Sequence, residues 1–72
     1  MKTHKQMTPV YMVRRTYKGV REKAILTDLP TAEARYNRFR AELPDALVEL
    51  SEIIDGVADV IRFQAGDVVF ER

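Results

Sequence analysis

Cysteine is absent from this chain of 72 residues, which excludes a disulfide framework and thiolate zinc sites. Histidine occurs once, as His4, and serine once, as Ser51. Nucleophilic catalysis needs a base positioned beside the nucleophile. A histidine between Lys2 and Lys5 in a polar stretch and a serine in a strand-like run do not make such a set. The three glycines, Gly19, Gly56 and Gly66, stand apart from one another, so no glycine-rich phosphate cradle opens a helix. Asp55, Asp59 and Asp67 are too spread for a calcium loop. No apolar run approaches the roughly 18 residues of a membrane span, and the opening MKTHKQMTP lacks the apolar stretch of a secretory signal. No catalytic residues, metal or cofactor are therefore expected, and the chain reads as a non-enzyme. The one acid–base candidate is Glu52 opposite Asp59, where like charges raise one carboxyl pKa, but nothing in the sequence supplies a pocket around them.

What is present is a single small domain. A chain this short buries only about 60% of the surface its unfolded form exposes. Without disulfides or a metal, a partner subunit is the expected further source of stability. The charge is nearly balanced at +1 but unevenly spread. Residues 1–40 carry ten Lys/Arg against three acids, a balance of +7, and residues 41–72 carry eight acids against two arginines, a balance of −6. Such asymmetry either marks a nucleic-acid or membrane-surface patch or lets the two halves neutralise each other. The low total favours neutralisation, because phosphate binders are usually clearly basic. The lack of cysteine suits a cytoplasmic setting.

Residues 1–8 read as a flexible tail and residues 9–72 as one α+β domain. Val10–Tyr17 and Val20–Thr27 are strand-like runs around Lys18-Gly19, a tight turn with glycine where φ > 0 is needed. Their register sets Tyr17 against Val20, Arg15 against Glu22, Val13 against Ala24 and Tyr11 against Leu26, an apolar face with one complementary ion pair. Pro30 discourages further strand, Thr31 serves as a helix N-cap, and Glu33 suits the first turn. Ala32, Tyr36, Phe39 and Leu43 then form one helical stripe, and Pro44 ends it.

Residues 47–61 fit two periods. Leu47, Leu50, Ile54, Val57 and Ile61 make a helical stripe, whereas Asp55-Gly56 is a two-residue hairpin loop between β-branched runs. Strands are the better reading, since a helix would leave Val48 exposed beside Glu52 and Asp55. With Ala65-Gly66 as a second loop, Leu47–Ile54, Val57–Gln64 and Asp67–Arg72 form a meander. Val48, Leu50, Ile54, Val57, Ile61, Phe63, Val68 and Phe70 then share its core face. Glu52 opposes Asp59, with Arg72 facing Asp59 from the other side. The architecture expected is ββαβββ, one mostly antiparallel sheet with a single helix packed on one face.

One helix covers one side of such a sheet. The other side would carry Val10, Met12, Ile25, Leu47, Ile53, Val60 and Val69 among charges, more apolar surface than scattered background. It would also be dipolar, with Arg14, Arg21 and Lys23 on the hairpin and Glu49, Asp67 and Glu71 on the meander. A protein-binding surface is expected at Met12, Arg14, Arg21, Lys23, Ile25, Glu49, Val60, Arg62 and Val69. The partner is another protein, and the chain is expected to homodimerise. The function expected is that of a small interaction module that occludes or bridges its partner, in the manner of accessory and inhibitor proteins of phages and mobile elements. The alternative is a nucleic-acid-binding regulator using the basic hairpin with Arg35, Arg38 and Arg40.

Overall fold

The computed structural model describes residues 8–72; the tail expected over residues 1–8 lies, apart from Thr8, outside them. Strand β1 (Val10–Tyr17) turns through Lys18 and Gly19, at φ +50° and +80°, into β2 (Val20–Leu26). Positive φ at both loop positions is the type I′ geometry that matches strand twist. The register is the expected one, from Tyr17 opposite Val20 to Tyr11 opposite Leu26.

Helix α1 (Leu29–Glu42) begins earlier than the sequence suggests. Asp28, not Thr31, is the N-cap: its carboxylate accepts the Thr31 backbone N–H at 3.1 Å and the Thr31 hydroxyl at 2.9 Å. Pro30 sits in the first turn, where a backbone N–H would have no intrahelical acceptor anyway. The helix closes on Leu43, whose N–H donates to the Phe39 carbonyl at 3.2 Å.

Three strands follow: β3 (Leu47–Ile54), β4 (Val57–Ala65) and β5 (Val68–Glu71). Asp55 and Gly56 again take positive φ, +54° and +80°, so residues 47–61 are a hairpin and not one helix. The sheet is a single antiparallel layer in the order β2-β1-β3-β4-β5. Strand β3 is central and joins the first hairpin to the meander.

The helix lies against β1, β3 and β2, and the core follows its footprint. Ala32, Tyr36 and Phe39 pack onto Tyr11, Val13, Val48 and Leu50, with Ala46 beside them and Tyr17, Leu26, Leu29, Leu43 and Ile61 at the margin. Arg15 enters the same layer. It stacks over the Phe39 ring at 4.3 Å from the centroid and pairs with Glu22 across the hairpin and with Glu42 at the helix end, the latter at 2.9 Å. A cation there also suits the negative end of the helix dipole.

Two registers in the meander depart from expectation. The third loop is Gly66-Asp67, with Ala65 opposite Val68. A loop at Ala65-Gly66 would ask Ala65 for positive φ, which its Cβ opposes; placing Gly66 first, at φ +59°, meets the demand of a II′-type hairpin. The pairing of β3 with β4 shifts between Leu50 and Ser51: Ser51 opposes Val60, yet Leu50 opposes Arg62. Ile61 is the extra residue of a β-bulge. Because side chains alternate across a strand, one inserted residue exchanges the faces of everything beyond it.

Candidate functional site: the uncovered sheet face

Directly opposed residues on antiparallel strands share a face, so the registers assign the sides. Opposite the helix, one row runs Ile25, Met12, Ser51, Val60 across four strands, and the next runs Lys23, Arg14, Glu49, Phe63, Phe70 across all five. A third runs Arg21, Thr16, Leu47, Ala65, Val68, and Val10, Ile53 and Ala58 make a short fourth. Of the nine residues expected to bind a partner, Met12, Arg14, Arg21, Lys23, Ile25, Glu49 and Val60 lie together on this face.

Arg62 and Val69 do not. The bulge turns both to the helix side, along with Glu71, which opposes Arg62. There Arg62 lies 5.6 Å from the Tyr36 ring centroid, 3.6 Å from Glu33 and 3.4 Å from Glu71. Its Nε faces Glu71 without the alignment of a hydrogen bond. The physical reason for the exchange is the reach of the helix. The helix side of β4 is the margin of its footprint, where a guanidinium can sit over Tyr36 with its charge in reach of carboxylates, while a phenyl ring would stay half wet.

In return the uncovered face gains Phe63, Val68 and Phe70, all expected in the core, and Ala65, expected in a loop. The two phenyl rings stack with centroids 5.3 Å apart and planes at 18°. Val68 is 60% exposed, Ile25 54% and Phe70 40%. The dipolar pattern disappears too. With Glu71 on the other side and Asp67 in a loop, Glu49 is the one carboxylate in the rows of this face, and Arg14 grips it through Nε at 2.9 Å and a terminal nitrogen at 2.8 Å. The face is thus apolar and aromatic over β4 and β5 and basic over β2, where Arg21 and Lys23 stand exposed.

Several pairs join the basic and acidic halves of the sequence: Arg14 with Glu49, Arg15 and Arg38 with Glu42, and Glu33 with Arg62. Arg35 and Arg40 lie 5.6 and 5.8 Å from the Phe39 and Tyr36 centroids. Burial pulls the Arg15 pKa down, but hydrogen bonds to Glu42 and Glu22 outweigh it and the net shift is upward. Hydrogen bonds from Arg15 and then Arg38 hold the Glu42 carboxyl below the usual carboxylate range. Glu52 opposes Asp59 as expected; the Tyr11 hydroxyl donates to Glu52 at 3.5 Å, and Arg72 pairs with Asp59. Burial, then the Glu52 charge, push the Tyr11 phenol up.

Ser51 is buried on the uncovered face between Met12 and Val60, and His4 lies outside the described residues. Among the described residues no three His, Cys, Asp or Glu side chains converge as a metal site, and no helix is long and apolar enough to cross a membrane. The concavities are shallow; one of about 340 Å³ lies at the first hairpin tip between Tyr17, Val20 and Leu43, with Arg15, Lys18 and Glu22 around it.

No protein-family model, curated protein or solved structure matches the chain.

Proposed function

We propose that this protein is a small non-enzymatic interaction module that binds a partner protein through the uncovered sheet face, occluding or bridging it, and that works as a self-associated pair. The observation that carries the reading is the bulge at Ile61, which sets Phe63, Ala65, Val68 and Phe70 beside Met12, Ile25 and Val60 on the side no helix covers. Contiguous apolar patches of this type mark interaction sites, and aromatic side chains with an arginine rim are the composition that interface centres favour. An accessory or inhibitor role fits a chain whose described residues offer a broad surface and shallow concavities.

The test compares proteins retained from a lysate by the wild-type chain and by Met12→Asp/Val60→Asp, with circular dichroism confirming that the variant folds. Partners held by the face are lost from the variant. An unchanged set of retained proteins would overturn the reading.

One observation favours a second reading. Phe63 and Phe70 share their row with Arg14 and Lys23, the mixture of cations and rings that single-stranded nucleic acids use. Two features weigh against it: the rings stack on each other, and Arg14 is held by Glu49. Gel shifts with random DNA and RNA at low and moderate salt decide between the two. Retardation abolished by Arg14→Ala/Lys23→Ala would promote nucleic acid to first place.

A further inference from the structure

An open sheet has two edges, and here they differ. A two-residue hairpin loop closes on a hydrogen-bonded pair, and such pairs alternate along an antiparallel ladder. Counting from Tyr17 opposite Val20, the backbone groups of Arg21, Lys23 and Ile25 point out of the free edge of β2. Counting from Ala65 opposite Val68, and fixed by the Arg72 N–H donating to the Ile61 carbonyl at 2.9 Å, those of Val69 and Glu71 point out of the free edge of β5. Among the described residues neither edge has a neighbour.

Natural sheets guard an edge with charged side chains, lysine above all, with proline or a bulge, or by keeping it very short. The β2 edge is guarded. Pairing β2 with β2 of a second copy sets Arg21 or Lys23 against its own kind or a neighbouring cation in the registers centred on residues 21 to 23, and like charges opposed across strands destabilise. The β5 edge, VVFE, is short and ends on Glu71, but it has no cation, proline or bulge within it, and every residue of it is exposed.

We propose that β5 docks antiparallel onto β5 of a second copy, in the register that centres the two-fold axis on Phe70. Outward-pointing groups must meet outward-pointing groups, which leaves three registers. Centring on Val69 brings Asp67 against Glu71, and centring on Glu71 brings the two Glu71 carboxylates together. Centring on Phe70 opposes Val69 to Glu71 of the second copy, twice, and brings no like charges face to face. The result is one ten-stranded sheet with both helices on the same side. On its other side the stacked pair Phe63–Phe70 continues into Phe70 and Phe63 of the second copy, so the two uncovered faces become one platform. The inference goes beyond the reading above because the joint is an edge and not the face; it shares only the premise that the protein works in pairs.

The cysteine-free chain allows a direct test. Residues meeting as a non-hydrogen-bonded pair have Cα atoms about 4.5 Å apart, within disulfide range. Under mild oxidation Phe70→Cys is expected to form a covalent dimer at least about tenfold faster than Val69→Cys or Lys23→Cys, whose partners in this register lie elsewhere. Because Phe70→Cys also removes a ring, light scattering of the wild type and of Val69→Pro gives an independent readout. Proline there removes one outward N–H and no bond inside the monomer, so the wild type should weigh twice the 8.3 kDa chain at micromolar concentration and Val69→Pro should weigh one chain.

A dimer that survives Val69→Pro and is lost in Met12→Asp would overturn the edge and leave the face reading standing. Species that grow beyond a dimer with concentration would mean β2 joined to β5 head to tail and would also overturn it. A wild type that stays monomeric, with no excess cross-linking at Phe70→Cys, would sink the paired state, while the lysate comparison still judges the face.

Discussion

Strands β3 and β5 belong to one sheet and are similarly rich in valine, leucine, isoleucine and phenylalanine, yet their fates are opposite. Val48 and Leu50 on β3 are fully buried, whereas Val68, Val69 and Phe70 on β5 are 40–60% exposed. The difference is the helix. It lies over β1, β3 and β2, and at one end of its footprint Arg15 ties Glu42 to the hairpin. Beyond the footprint, β4 and β5 are held by backbone ladders and by side-chain pairs such as Phe63 with Phe70 and Arg72 with Asp59. Apolar composition makes a strand here; only position under the helix makes it core.

The contrast is broken most severely by Leu50→Ala. Truncating a fully buried leucine costs about 2–5 kcal/mol, a large share of the roughly 5–15 kcal/mol that holds a typical domain, and the midpoint of urea unfolding should fall accordingly. Arg15→Met comes next, at about 1–2 kcal/mol, below the upper range for charged hydrogen bonds because Glu22 and Glu42 are themselves half exposed. A smaller effect is expected from acid. The folded-state pKa of Glu42 lies below its unfolded value, so its contribution is complete above about pH 4.5 and is lost as pH falls through the folded value. Unfolding midpoints measured from pH 6 downward should fall less steeply in Glu42→Gln than in the wild type. Val68→Ala, on the uncovered side of β5, should cost less than about 0.5 kcal/mol. If Val68→Ala matched Leu50→Ala, β5 would belong to the core and the division would be wrong.

Most of the fold was legible because local signals agreed with one another. The first hairpin, the stripe Ala32, Tyr36, Phe39 and the Asp55-Gly56 turn each combine a period with a suitable loop residue. The helix start was misread because two capping residues, Asp28 and Thr31, sit three apart and hydrogen-bond each other. The bulge was harder, although it left a trace. Ala58 and Val60 alternate in one phase, Phe63 and Ala65 in the other, and the doublet Val60-Ile61 marks the join. One extra residue there reconciles both phases and puts all four on a single face. A strict period of two keeps Phe63 with the core and gives Arg62 away, so it puts seven of the nine residues on the face where the registers have them and omits the aromatic pair from it. Strand order had no local signal, since it depends on which long-range pairing β1 accepts.

The central place of β3 also sets a timetable. A nascent chain that has reached Ala46 already contains the hairpin and the helix, but neither Val48 nor Leu50, so Tyr36 and Phe39 have half a floor to rest on. Closure must wait for residues more than 30 positions downstream of β1 to emerge and zip against it, because distant pairings repay their loop entropy only once formed. Until then the ribosome carries an unclosed sandwich of one ribbon and one rod. The last two strands emerge later still, and β4 then brings Ile61 and Arg62 to the margin of that core.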